Sequence, residues 1–485
     1  MSLFPPSSTI SPRRPPALMA ALAVAAVAGC ATVASPDRTL PDVPVPAAWS
    51  STSAAATAGG ATVEDTSARQ PASPASLVEW WRNFDDPDLA ALVARALEAN
   101  TSVRGAQAAL AQARALRDVQ AAGLRPTLDG SASAQRARPA GGDTSNRFQA
   151  GLDASWELDV FGGRRSAVEA AEADVRAAQA SLADAQVSLA AEAALAYIEL
   201  RGLQSRLAIA RRNLATQNET LQLAQWRTQA GLTTSVEVEQ ARAAAEQTAA
   251  QVPALENGIA QARHALAVLT GQAPGALQSA LDDAREVPQP AGELALAIPA
   301  ETLRQRPDVR RAEERIGAAL ARVSQADAAR YPSFRLGGTL GLSAPTLGGL
   351  GSSAAIVDSL LAAVSVPLFD GGAARAQVRV QEAALEQARV AYQEVVLNAL
   401  KEVEDSLVAL RGDRERLARL RNAAEAAANA ALLAQNRYAS GLIDFQVVLD
   451  TQRTLLSTQE GVAITAASVS ADHVRLYKAL GGGWK

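Results

Sequence analysis

The sequence predicts an α+β membrane protein built from two internal repeats, each supplying two strands to a shared β-barrel and one very long helical hairpin. Three observations carry that reading. Landmarks recur along the chain, some segments alternate strictly between apolar and polar residues, and two stretches of about 65 residues hold no proline and one glycine each.

The recurrence comes first. Asp159-Val-Phe-Gly-Gly-Arg-Arg165 precedes a long stretch rich in Ala, Glu, Gln, Arg and Leu, and Pro367-Leu-Phe-Asp-Gly-Gly-Ala373 precedes another. Arg125-Pro126 matches Tyr331-Pro332, and Arg201-Gly202 matches Arg411-Gly412. Ala230-Gly231-Leu232 matches Ser440-Gly441-Leu442, and Leu269-Thr-Gly271 matches Ala479-Leu-Gly481. The offset stays between 206 and 210 residues, as between Pro126 and Pro332 and between Gly231 and Gly441. A chain of 485 residues would otherwise suggest several domains, but the duplication argues for one fold of two similar halves. The boundaries read as residues 77–275 for the first repeat, 276–300 for a linker and 301–485 for the second repeat.

Composition excludes several classes. A formal net charge of -4 gives no basic face for nucleic acid. A single cysteine rules out an intrachain disulfide and any cluster of cysteine metal ligands. That cysteine, Cys30, follows Arg13-Arg14, an apolar run from Ala17 to Ala28, and Gly29. A basic start, a short apolar run and small residues mark residues 1–29 as a signal peptide, and the run is too short to span a bilayer. Val27-Ala28-Gly29-Cys30 resembles a bacterial lipobox, so Cys30 is expected to carry lipid and begin the mature chain, with a plain signal peptide as the alternative. Ala31 in the following position favours the outer membrane by resemblance to the bacterial sorting rule. Residues 30–76, rich in Ala, Pro, Ser, Thr and Gly, read as a tether or an arm lying on the surface.

Within the first repeat, Trp80-Trp81 and Phe84 open the folded region. A helix is predicted from about Pro87 to Ala122, with Leu89, Leu92, Val93, Ala96, Leu97, Val103, Ala106 and Leu110 on one buried stripe and Pro87 in its first turn. Strands follow over about 126–136 and 147–159. In the second of these, Phe148, Ala150, Leu152, Ala154, Trp156 and Leu158 alternate with polar or small residues. An ordinary half-buried strand alternates as well; length and small polar content suit a barrel with an apolar outside and a wet lumen. The second repeat offers a strand through Phe334, Leu336, Gly338, Leu340 and Leu342, a loop over 341–352 and a weaker strand over about 353–367. Four strands cannot close a barrel, and open edges are not tolerated in lipid; if these strands cross a membrane, several chains must contribute, and three would give twelve strands.

The long helices are predicted over 164–230 and 373–440, each roughly 100 Å long. They turn at Gly231-Leu-Thr-Thr234 and Gly441-Leu-Ile-Asp444 and return to about Leu269 and Leu480. Repeats this long with abundant alanine imply close, coiled-coil-like packing.

Taken in order, a further set of residues resembles the TolC/OprM-type outer-membrane efflux proteins, in their NodT-like lipoprotein branch. The carriers are Trp80-Trp81 with Phe84 and Asp86-Pro87, and Arg306-Pro-Asp-Val-Arg310 with Ala312-Glu313. Arg330-Tyr-Pro-Ser333, Pro367-Leu-Phe369 with Gly371-Gly372, Arg437-Tyr438 with Gly441, and Tyr477-Lys-Ala-Leu-Gly481 complete the set. The resemblance implies a homotrimer in the bacterial outer membrane, with a twelve-stranded barrel continuous with a periplasmic tunnel of helices. It implies a passive exit duct rather than an enzyme, with a periplasmic adaptor protein and an inner-membrane pump of the proton-driven RND type as partners. No cofactor is expected beyond the lipid on Cys30.

The same resemblance places a periplasmic gate at Tyr438 and Asp450. Three Asp450 carboxylates near a threefold axis would repel one another, or hold a cation or a water network; a solvated helix residue is the alternative at Asp450, and plain packing at Tyr438. Gln446 stands where some relatives carry an apolar ring. Ile443 and Val447 stand where others carry an arginine and an acid, so that ionic lock is missing. Arg227, Gly231 and Leu232 in the first turn and Arg437, Gly441 and Leu442 in the second fit docking to an adaptor's helical hairpin, although helix capping explains the glycines equally well. Glu402, Glu404 and Asp405 read as a solvated face or as an acidic lumen lining. His264 and His473 lack a third ligand at helical spacing, so packing or exposure explains them better than metal. Gly337-Gly-Thr-Leu-Gly341 and Gly348-Gly-Leu-Gly351 do not open a helix within a βαβ unit and read as strand and loop glycines. Three alternatives stay open: export of polypeptides by the same kind of channel, a single-hairpin adaptor lipoprotein, and an enzyme, for which no catalytic constellation is found.

Overall fold

The computed structural model describes residues 39–50, 77–138, 140–278, 280–290 and 299–482. The predicted signal peptide and Cys30 lie outside them. The chain divides into two compact units, one drawn from Gln120–Glu169 and Leu320–Glu382, the other from Thr39–Val119, Ala170–Ala319 and Ala383–Lys485.

The first unit is built on one antiparallel sheet. Its strands are β1 (Thr127–Ala137), β2 (Ser145–Leu158), β3 (Ser333–Ala344) and β4 (Ile356–Ser365), in the order β1-β2-β3-β4. The register aligns Asp129, Asp153, Thr339 and Ser359 in one row across the sheet. The neighbouring row aligns Leu128, Ala154, Gly338 and Leu360 on the opposite face, because successive side chains alternate. One face is therefore polar except at Val357, Leu361 and Ala363 of β4, the other is largely apolar, and the apolar one is bare: Leu128, Leu340 and Leu360 are exposed. Gly151 and Gly341 face each other where β2 and β3 approach closely; a Cβ on Gly341 would lie 3.0 Å from the Ala150 carbonyl oxygen. At the foot of the sheet, the Trp156 indole donates to the Leu124 carbonyl at 3.0 Å, and Phe161 stacks on Tyr331 with ring centroids 4.9 Å apart.

The helices are α1 (Pro87–Ala99), α2 (Thr101–Ala122), α3 (Gly163–Gln229), α4 (Ser235–Ala249), α5 (Gln251–Leu269), α6 (Pro299–Gln305), α7 (Pro307–Ala328), α8 (Ala373–Ala439) and α9 (Phe445–Ala479). The long helices α3 and α8 each run 67 residues, as the absence of proline leads one to expect. Both start under an aspartate. Asp159 accepts from the backbone N–H groups of Arg164 and Arg165 at 3.0 and 2.9 Å, and Asp370 from those of Gly372 and Ala374 at 2.8 Å. These carboxylates satisfy amides that a helix start leaves unpaired.

Four expectations are corrected. The helix predicted over 87–122 is two helices. Asn100 leaves the helical conformation, accepts from the Ser102 N–H at 2.7 Å, and donates to the Leu269 carbonyl at 2.8 Å. The first return helix breaks at Ala250, where Pro253 withholds the N–H that would bond Ala249, whereas the proline-free α9 runs 35 residues. Strand β3 extends to Ala344, shortening the loop expected over 341–352. The weaker strand expected over 353–367 is trimmed to β4, a short 3-10 turn occupying Ser353–Ala355.

In the second unit, the Trp80-Trp81-x-x-Phe84 cluster is buried, and Trp80 stacks on Tyr477 with centroids 5.1 Å apart. Leu89, Val93, Tyr197, Leu266, Val403 and Val474 continue this core. Two arginines lie inside it. Arg201 is 1% exposed and donates to Tyr197, Gln204, the Asp283 carbonyl and Asp88. Arg306 donates to Asp308 and Glu402, each at 2.7 Å, and to the Ala479 carbonyl at 2.6 Å. Residues 39–50 of the predicted tether lie on this unit, where Trp49 is buried and Val43 and Val45 pack against Leu303, Val309 and Val396. Among the described residues no helix is long and apolar enough to cross a membrane.

Candidate functional site

The candidate site is the pair of hairpin turns in the second unit. Both turns close identically. The Leu232 N–H donates to the Arg227 carbonyl at 2.8 Å and the Gly231 N–H to the Thr228 carbonyl at 3.0 Å. The Leu442 N–H donates to the Arg437 carbonyl and the Gly441 N–H to the Tyr438 carbonyl, each at 2.9 Å. This bond pair caps a helix through a left-handed residue, a role suited to Gly231 (φ 72°) and Gly441 (φ 74°). The cap turns the next side chain outward: Leu232 is 69% exposed and Leu442 is 73% exposed. Arg437 is exposed beside Leu442.

Arg227 behaves differently from its counterpart. Its guanidinium sits 4.6 Å over the Tyr438 ring and donates to the Tyr438 carbonyl at 2.9 Å. A cation over an aromatic face, held also by a carbonyl, ties the end of α3 to the end of α8. The Tyr438 hydroxyl donates to Glu237 at 2.6 Å, and its ring packs on Phe445 with centroids 5.2 Å apart. Burial and then the Glu237 carboxylate push the Tyr438 phenol up to about 12, so it stays a neutral donor at any physiological pH. Ala241, Ala244, Ala434, Val448 and Leu449 close the cluster beneath.

The remaining gate candidates lie apart from this cluster. Gln446 and Asp450 are exposed on α9, one turn from each other. The Gln446 amide donates to Asp450 at 3.1 Å, and Arg453 approaches the same carboxylate at 3.5 Å. Within one chain, then, Tyr438 is a packing residue between hairpins, whereas Gln446 and Asp450 present their polar groups outward.

Glu237 escaped the sequence reading. Thr234-x-x-Glu237 has the pattern of a capping box, yet the Thr234 side chain makes no cap bond and Glu237 reaches Tyr438 instead. Nothing in the local sequence signals that partner, which lies on the other hairpin.

Glu402 holds Arg306, Glu404 accepts from the Ser50 N–H at 2.6 Å, and Asp405 pairs with Lys401 at 2.7 Å, so most of the acidic run latches the fold together. His264 is exposed. His473 is buried, faces Arg414 at 3.1 Å, and is pushed down to about 4 by burial and then by Arg414. No group of three candidate metal ligands occurs among the described residues. Gly337, Gly338 and Gly341 lie in β3, and Gly348, Gly349 and Gly351 in a 3-10 turn.

Comparison with known proteins agrees with this geometry. The model of the outer membrane efflux protein family matches residues 92–272 and 298–482. Nodulation protein T of Rhizobium leguminosarum bv. viciae is 30% identical over 453 residues, covering 93% of this chain and 90% of the relative. The toluene efflux pump outer membrane protein TtgF of Pseudomonas putida is 30% identical over 474 residues, with 96% of each covered. The solved outer-membrane channel OprN superposes with a TM-score of 0.81 at 37% identity, covering 92% of this chain and all of that one. With both halves matched, and with relatives aligned along nearly their whole length, the chain belongs to the outer membrane efflux protein family.

Proposed function

We infer that this chain is the outer-membrane exit duct of an efflux system and that three copies build it. One observation carries the assembly: a four-stranded sheet with a bare apolar face and two unpaired edges, β1 and β4. Backbone edges left open in hydrocarbon cost several kcal/mol for each unpaired group, so the sheet needs neighbours. Three sheets give twelve strands, an even number in the range of bacterial barrels. The polar face, with Asp129, Asp153, Thr339 and Ser359, then lines the water path.

The outer membrane is the location, and efflux is the family's work. The two repeats place their hairpins side by side as a periplasmic tunnel, and lipid on Cys30 anchors each copy beside the barrel. Leu232 and Leu442, apolar and exposed on matched turns, are the docking points for a periplasmic adaptor, with Arg437 beside them; an RND-type inner-membrane pump supplies the energy. Asp450, with Gln446 one turn away, forms the gate ring at the threefold axis, held in place by the buried Tyr438 cluster. The duct catalyses nothing itself. The test is complementation. Cells lacking the chain should accumulate a fluorescent efflux substrate, and re-expression should restore its expulsion; unchanged accumulation after deletion contradicts the reading.

A further inference from the structure

The apolar face of the sheet carries two charges, and each sits on an edge strand. Arg136 shares its face of β1 with Leu128, Ala132 and Ala134, and Asp358 shares its face of β4 with Leu360 and Val364. Asp358 stands directly opposite Leu340. Neither charge has an ion-pair partner among the described residues. On the lipid side of a barrel an unpaired arginine is destabilising, most at mid-depth and less near the rim.

We propose that β4 of one copy pairs with β1 of the next in a single register, which sets Asp358 against the neighbouring copy's Arg136. The proposal rests on the three-copy reading above and adds the seam to it. The register follows from how the strand ends drift. At the loop end, Ile356 of β4 lies level with Leu342, Ala150 and Ala132, well short of Ala137 where β1 stops. At the helix end, Ser365 lies level with Ser333, beyond the level of Thr127 where β1 starts. Both ends slip in the same sense, by about one and a half residues per strand, which is the stagger a closed barrel requires. One more step, onto the next copy's β1, brings the slip to about six residues.

That slip is even, so the faces are preserved; an odd one would turn every side chain over. It matches large to small along the apolar side of the seam: Leu360 meets Ala134, Ala362 meets Ala132, and Val364 meets Gly130. On the wet side Ser359 meets Gln135 and Ser365 meets Asp129. A slip two residues smaller sets Asp358 against Ala134 and strands both charges. A slip two residues larger sets Arg136 against Leu360.

Disulfide trapping tests the register on the full chain in isolated outer membranes. Facing residues in an antiparallel pair lie about 4.5–5.5 Å apart at Cα, within the span of a disulfide. The double variant Arg136→Cys/Asp358→Cys should give covalent dimers and trimers on oxidation, lost on reduction. Each single variant and the wild type, which keep Cys30, should give none. Asp358→Cys combined with Ala134→Cys or Arg138→Cys reports the neighbouring registers. Preferential trapping in either of these, or no trapping in a particle that still holds three chains, overturns the register and leaves the three-copy reading standing. A particle of one chain overturns both.

Discussion

Tyr438 and Glu237 belong to different hairpins, yet the phenol donates to the carboxylate across 2.6 Å. This bond, with Arg227 lying over the same ring, fixes the spacing of the two turns that carry Leu232 and Leu442.

Replacing Tyr438 with Phe keeps the ring stacked on Phe445 and removes the bond. The loss should be about 1–2 kcal/mol, since a bond to a charged acceptor is stronger than average but Glu237 partly regains water. Thermal unfolding of the detergent-extracted protein reads it. The phenol's folded pKa is raised from 10.0 to about 12. The bond's contribution is therefore complete below about pH 10 and lost as pH rises towards 12. Between pH 5 and 9 the gap between wild type and Tyr438→Phe should stay constant.

His473 gives the opposite sign. Burial and Arg414 hold its folded pKa near 4, below the ordinary 6.5. As pH falls through 6.5 the unfolded chain takes up a proton that the folded one refuses. Stability is then full above pH 6.5 and declines towards pH 4, by about 3 kcal/mol per chain. The neighbouring Asp472, whose carboxyl is raised by burial with Arg475 beside it, adds its own pH dependence, so the histidine is isolated by difference. Unfolding curves of wild type and His473→Gln should diverge below pH 6.5 and run parallel above it.

Arg306→Ala should cost about 3–5 kcal/mol, because it leaves Asp308 and Glu402 without their cation and the Ala479 carbonyl without its donor. Arg306→Lys keeps the charge but cannot span three acceptors, so it should fall between. The yield of folded protein in the outer membrane checks the order.

Leu232→Asp combined with Leu442→Asp should abolish efflux while leaving membrane insertion and assembly intact. Drug susceptibility against the amount of protein in the outer membrane separates the two effects. Wild-type resistance in the double variant would remove the turns as docking points.

Much of this architecture was legible in sequence because the signals are local and long. Alternation in Phe148, Ala150 and Leu152 marks a two-faced strand, and proline-free stretches mark α3 and α8. The break at Asn100 was not legible, because its partner Leu269 lies far along the chain and the apolar stripe runs straight through it. The same holds for the tip cluster. Gly231 and Gly441 announce the turns, but Arg227 and Arg437 look equivalent in sequence, and only packing against Tyr438 sets them apart. Glu402 likewise reads as a surface acid until Arg306 is brought against it.

A continuous duct requires the open sheet to be completed by identical copies. Native mass spectrometry of the detergent-extracted protein measures that directly. A particle of three chains is the predicted result. A single chain that stays folded with both sheet edges free would contradict it.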